Sequence, residues 1–145
     1  MKIAGICFTQ GGFTLLKWIQ EILLQEGNEV NIAFKSRFAK SGHPAELKED
    51  LKEWTRKRFI DSDAIIFVGA TGITVRTIAP FVKDKRQDPA IIVLDERGQF
   101  CIPLLSGHIG GANELAAWLA EQIKATPVVT TATDVYGKFA VDVYA

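Results

Sequence analysis

The chain has 145 residues, 48% hydrophobic and 23% charged, which is the length and composition of one ordinary globular domain rather than of a disordered or fibrous chain. Lysine plus arginine equals aspartate plus glutamate at 17 each, so no net charge draws the chain to nucleic acid or to an anionic membrane. Two cysteines, Cys7 and Cys101, are too few for a disulfide framework or a four-ligand zinc site.

The first residues, from Met1 to Phe8, hold too short an apolar stretch for a signal peptide, and no run approaches the ~18 apolar residues of a membrane span. A cytoplasmic chain is expected. Ile3–Phe8 reads as a first strand and Thr9–Gly12 as the turn after it. Leu15, Ile19, Ile22 and Leu23 follow at helical spacing, with Gly27 as the C-terminal stop. Val30–Phe34 reads as a second strand. Leu47, Leu51 and Trp54 mark a second helix, whose basic end Arg56-Lys57-Arg58 suits the negative pole of the helix dipole.

Ala64–Val68 is apolar throughout, the pattern of a central parallel strand covered on both faces. It runs into Gly69-Ala70-Thr71-Gly72. Val75, Ile78, Ala79 and Val82 then form a helical face that Pro80 limits. Ala90–Leu94 is another buried strand, Asp95–Gln99 a turn, and Phe100–Leu105 a further strand. Ser106–Gly111 leads into a helix that starts near Asn113 and buries Leu115, Leu119 and Ile123. Pro127–Thr130 and Phe139–Val143 are the last strand candidates. Trp18, Trp54 and Trp118 fall within helices, where packing on the sheet explains them. The alternation predicts an α/β fold, a three-layer αβα sandwich on a mainly parallel sheet of flavodoxin or Rossmann type.

In such sheets ligands bind beyond the carboxyl ends of the strands. Thr9–Gly12, Gly69–Gly72 and Ser106–Gly111 each join a strand to a helix, and their glycines let a ligand come close to backbone N–H groups. The three are expected to converge on one rim as an anion-receptive edge. None is a Walker A or G-x-G-x-x-G sequence, which argues against a nucleotide domain. His108 is suited to be a general base or a metal ligand, or else it hydrogen-bonds within its own loop. His43 sits in a turn that looks remote from the strand ends. Asp95 and Glu96 read either as a carboxylate pair or as a solvated turn, and Thr130, Thr131, Thr133 and Asp134 as a turn or a polar pocket wall.

Several of these segments resemble the CbiG family of cobalamin biosynthesis. They are Phe67-Val68-Gly69-Ala70-Thr71-Gly72-Ile73 with Val75-Arg76 and Ile78-Ala79-Pro80, then Lys83–Arg86, Asp88-Pro89-Ala90 and Val93–Glu96. Leu104-Leu105-Ser106-Gly107-His108 and Gly110–Ala116 are the most specific stretch, and Ala125–Pro127, Thr130–Asp134 and Gly137–Asp142 continue the resemblance to about Asp142. It implies opening of the ring-A lactone of cobalt-precorrin-5A with loss of acetaldehyde, giving cobalt-precorrin-5B. It implies no redox cofactor and no protein-bound metal, the cobalt arriving with the substrate. Catalytic roles are expected of His108, Glu114 and Asp134. Substrate contacts are expected from Gly11, Gly12, Gly69, Thr71, Gly72, Arg76, Ser106, Gly107, Gly110, Gly111, Asn113 and Thr131, with Lys83, Lys85 or Arg86 as further anchors for carboxylates. Family members continue through a central segment and a C-terminal domain, so residues 1–145 are expected to be one α/β domain of a longer multidomain enzyme. The alternative is a non-catalytic module that binds a tetrapyrrole or another anion.

Overall fold

Sequence patterning divides the molecule into a sheet and two helical layers. The structure, a computed structural model, describes residues 1–36, 42–107 and 110–132. Six strands and four helices follow in the order β1 (Lys2–Cys7), α1 (Gln10–Gln25), β2 (Glu29–Phe34), α2 (Leu51–Asp61), β3 (Ala64–Val68), α3 (Thr71–Ile78), β4 (Ala90–Leu94), β5 (Phe100–Leu105), α4 (Ala112–Ile123) and β6 (Thr126–Pro127). A short 3-10 turn, Ala79–Phe81, ends α3 where Pro80 removes a backbone donor.

The sheet order is β2-β1-β3-β4-β5-β6. β1 pairs in parallel with β2 and β3, and β3 with β4. Every residue of β3 and β4 is buried, and alternation sends successive side chains to opposite layers. Ile66, Val68, Ile92 and Leu94 pack under α1 and α4, together with Leu16, Ile19, Ala116 and Leu119. Ile65, Phe67, Ile91 and Val93 face the other way, against Trp54 of α2 and Ile78 of α3. The three-layer architecture is as expected. Both cysteines are buried, and burial pushes each thiol up to about 12, so neither is a thiolate at neutral pH.

Five expectations need correction. β5 runs antiparallel to β4, with Leu94 opposite Cys101 and Ile91 opposite Leu105. The second helix starts at Leu51 behind its cap Asp50, not near Leu47, because the Leu47 N–H donates to the Phe34 carbonyl at 2.8 Å and extends the sheet instead. The sixth strand is only Thr126–Pro127. The helical face drawn through Val75 and Val82 is wrong as well: both are over two-fifths exposed, and Thr74 with Ile78 faces the core. Trp54 is buried and Trp118 packs on the core, whereas Trp18 is nearly half exposed and does not pack on the sheet as supposed. The candidate strand Phe139–Val143 lies outside the described residues.

Turn chemistry sets the β4–β5 hairpin. The Asp95 carboxylate accepts the backbone N–H groups of Arg97, Gln99 and Phe100 at 3.3, 2.9 and 2.7 Å. The Gly98 N–H closes on the Asp95 carbonyl at 2.9 Å. Asp95 is therefore the turn residue of the two readings offered.

Candidate active site at the amino rim

Because β5 is reversed, its two ends lie at different rims from those a parallel strand would reach. β1, β3 and β4 finish together, Cys7 beside Val68 and Val68 beside Leu94, and this edge is the carboxyl rim. β5 begins there and ends at the opposite edge, the amino rim, with Leu105 beside Ile91. The three glycine loops therefore do not converge. Gly11, Gly12, Gly69, Thr71 and Gly72 occupy the carboxyl rim. Ser106, Gly107, Gly110, Gly111 and Asn113 occupy the amino rim, roughly 15 Å away along the strands.

The carboxyl rim is already supplied with an anion of its own. Thr9 caps α1, its Oγ1 accepting the Gly12 N–H at 3.0 Å, and the same hydroxyl donates to Glu96 Oε2 at 2.6 Å. The Glu96 carboxylate lies over Gly11, 3.7 Å from where a β-carbon would stand. A carboxylate thus sits beside the positive end of α1. His43 also belongs here and is not remote. Its ring stacks on Phe34 at 4.4 Å and meets Phe13 edge-on at 4.3 Å, while Nδ1 accepts the Ala45 N–H at 3.0 Å. Arg76, on α3, reaches this rim too: its guanidinium lies 3.8 Å from where a β-carbon on Gly72 would stand, with Leu51, Lys52, Thr77 and Pro80 nearby.

At the amino rim the backbone is held in an uncommon form. Ser106 has φ +59, a left-handed conformation that non-glycine residues rarely adopt. Its surroundings impose it. Ser106 Oγ donates to the Asp88 carbonyl at 3.2 Å, the Ser106 carbonyl accepts the Ala112 N–H at 3.2 Å, and the Gly107 carbonyl accepts the Asn113 N–H at 2.9 Å. Asn113 Nδ2 donates to Thr131 Oγ1 at 3.0 Å, with Asn113 only 7% exposed. The bond Asn113 and Thr131 share ties the start of α4 to the segment after β6. Glu114 is exposed on the first turn of α4, at this same rim. His108 and Asp134 lie outside the described residues.

Two glycines are required by close approach. A β-carbon on Gly107 would come within 2.7 Å of Asn113 Oδ1, and one on Gly110 within 2.5 Å of Ser106 Cβ and 2.8 Å of the Ser106 carbonyl oxygen. Gly110→Ala is expected to cost about 1–3 kcal/mol of stability by overpacking. Chemical denaturation of the variant checks this, and an unchanged midpoint would refute the packing described.

Sequence reasoning passed over Asp88 as a candidate. It is 8% exposed, and both carboxylate oxygens accept the Lys83 N–H, at 2.9 and 3.2 Å. Its own N–H donates to the Asp84 carbonyl at 2.8 Å, and its carbonyl holds Ser106. A buried carboxylate needs such partners. The available signal was an aspartate directly ahead of a wholly apolar strand.

Residues 53–134 match the family described as cobalamin synthesis G N-terminal. Over 99% of its length the chain is 44% identical to a cobalt-precorrin-5A hydrolase of Salmonella typhimurium, covering 39% of that protein. It is 49% identical over 80 residues, 55% of the chain, to a cobalt-precorrin-5A hydrolase of Priestia megaterium, covering 21% of that protein. Among solved structures it resembles a cobalamin biosynthesis protein G homolog from Sulfolobus solfataricus, with a TM-score of 0.67 and 28% identity over 89% of this chain and 36% of the other. The chain thus spans well under half the length of the curated relatives it matches.

Proposed function

The chain belongs to the cobalamin synthesis G N-terminal family, and from that membership we propose that it is the N-terminal α/β part of a cobalt-precorrin-5A hydrolase. The observation that carries this reading is the 44% identity that runs across 99% of the chain to a protein of that name. The further domains of the longer relatives act with it.

The reaction consumes one water. Water adds to the lactone carbonyl and the ester C–O bond breaks, leaving a carboxylic acid and a hydroxyl. The hydroxyl then loses its proton as the adjoining carbon–carbon bond breaks, the electron pair and a proton pass to the macrocycle, and acetaldehyde leaves. The cobalt belongs to the substrate, and no further cofactor enters the scheme. The amino rim suits this chemistry because hydrogen bonds to Asp88, Ala112 and Asn113 fix Ser106 and Gly107 in advance, and oxyanion stabilisation calls for preorganised groups. His108 serves as the base that activates water, and the second proton is taken by His108 again or by a carboxylate, Glu114, which is exposed on the first turn of α4, or Asp134. Ser106, Gly107, Gly110 and Gly111 form the backbone of the site. Gly11, Gly12, Gly69, Thr71, Gly72 and Arg76 act away from it.

The test is direct. The full-length protein incubated with cobalt-precorrin-5A is expected to release one acetaldehyde per macrocycle, with the product mass matching gain of water and loss of the two-carbon unit. Recovery of unchanged substrate would overturn the proposal. Among the described residues no helix is long and apolar enough to cross a membrane.

A further inference from the structure

The amino rim holds a second feature beside the Ser106–Gly111 loop. Between the end of α2 and the segment leading into β4 lies a groove of about 410 Å³ lined by Arg56, Phe59, Ile60, Phe81, Lys83, Gln87 and Asp88. Its floor is apolar: the Phe59 and Phe81 rings pack with centroids 5.8 Å apart, and Ile60 beside them is 75% exposed. Ile60 and the two half-buried phenylalanine rings form one apolar surface.

Its margin is cationic on balance, Lys83, Lys85 and Arg86 outnumbering the neighbouring Asp84 and Asp88. The Asp84 carboxylate accepts the Arg86 backbone N–H at 2.9 Å, and the Asp88 carboxylate accepts that of Lys83. Both acids accept backbone N–H groups and keep their negative charge. Among the described residues the Lys83, Lys85 and Arg86 side chains form no ion pair, whereas Arg56 and Arg58 are paired with Glu53 and Asp61. A second groove of about 400 Å³ adjoins the first. It is lined in part by Arg86, Gln87, Asp88 and Gly110. At the carboxyl rim the Glu96 carboxylate beside Gly11 would repel an incoming carboxylate.

We infer that the groove receives the carboxylate-bearing edge of a planar macrocycle, with Phe59, Ile60 and Phe81 against its apolar face and Lys83 and Arg86 on its carboxylates. The volume suits one edge of such a ligand, clefts for small molecules being roughly 300–1,000 Å³. Asp88 is a positioning residue: its carboxylate holds the backbone of Lys83 and its carbonyl holds Ser106, which links the groove to the end of β5. The choice of macrocycle rests on the hydrolase reading, and the test separates the two.

Uroporphyrin I, planar with eight carboxylates, serves as the probe and is titrated into the protein by fluorescence. Lys83→Gln with Arg86→Gln is expected to weaken its binding about tenfold or more, since charge-assisted contacts are lost. Lys17→Gln with Lys124→Gln removes equal charge from the α1 and α4 side and should leave binding unchanged. Equal weakening by both pairs would reveal general charge attraction and overturn the inference, as would no weakening by the first pair. A groove covered by another part of the longer polypeptide would show as lower thermal stability in Ile60→Asp with probe binding intact, which also overturns it. Acetaldehyde release is measured separately. If the wild-type enzyme releases none while probe binding stays dependent on Lys83 and Arg86, the hydrolase reading fails and the groove stands. If release is normal and probe binding ignores both residues, the reverse holds.

Discussion

In the full-length protein, alanine at position 108 is expected to lower acetaldehyde release roughly 10²–10⁴-fold, the usual contribution of a general base. Thermal stability should change little. The contacts that set the flanking backbone are made by other residues: Ser106 to Asp88, Gly107 to Asn113, and Asn113 to Thr131. Loss of the imidazole leaves those contacts in place, so the defect should appear in turnover rather than in folding. Added imidazole should restore part of the rate by supplying the missing base in solution. A variant that is unstable but turns over normally once folded would assign His108 a structural role and remove it from the mechanism.

Phe67→Ala is expected to lose about 3–5 kcal/mol, the range for removing a fully buried aromatic ring. Phe67 is 0% exposed, in the middle of the sheet, with Ile6 and Val93 beside it in register and Trp54 and Ile78 in the same cluster. Strands on both sides limit collapse of the cavity, which keeps the cost in the upper part of that range. Since a domain's whole stability is about 5–15 kcal/mol, urea denaturation should show a large fall in midpoint. A loss below about 1 kcal/mol would mean that this layer is packed far more loosely than described.

The central strands were legible because Ala64–Val68 and Ala90–Leu94 offer no polar face, and a strand apolar on both sides must lie between two layers. The direction of β5 was legible too, in the length of the turn before it. Only Asp95–Gln99 separates β4 from β5, whereas a parallel crossover needs about a dozen residues or more. Reading the strand order without that constraint put Ser106–Gly111 at the wrong rim and carried the convergence of the three loops with it. His43 was misplaced for a different reason. Its position depends on the Phe34–Glu46 bridge and on rings from two elements, contacts that no local pattern announces. Val75 and Trp18 show the converse, apolar residues at fitting helical positions that face outward, because the period identifies a face without telling which neighbour covers it. Asp88 was hidden for a third reason: its partners are backbone groups five residues before it and a hydroxyl eighteen residues after it.

The Asp95 turn has a consequence for which side of the sheet each β5 residue occupies. Three N–H groups on one carboxylate lock the residue at which pairing with β4 begins. A slip of a single residue would exchange the faces along the strand. Cys101, now sealed beneath α4, would turn toward the α2 and α3 layer, and Ile102 and Leu104 would be driven into the space that Ala116 and Leu119 fill. The loop after Leu105 would start one position early, so that Leu105 rather than Ser106 would meet the Asp88 carbonyl and offer it no hydrogen. One surface carboxylate at the carboxyl rim thereby determines which side chain reaches Asp88 at the opposite end of the strand.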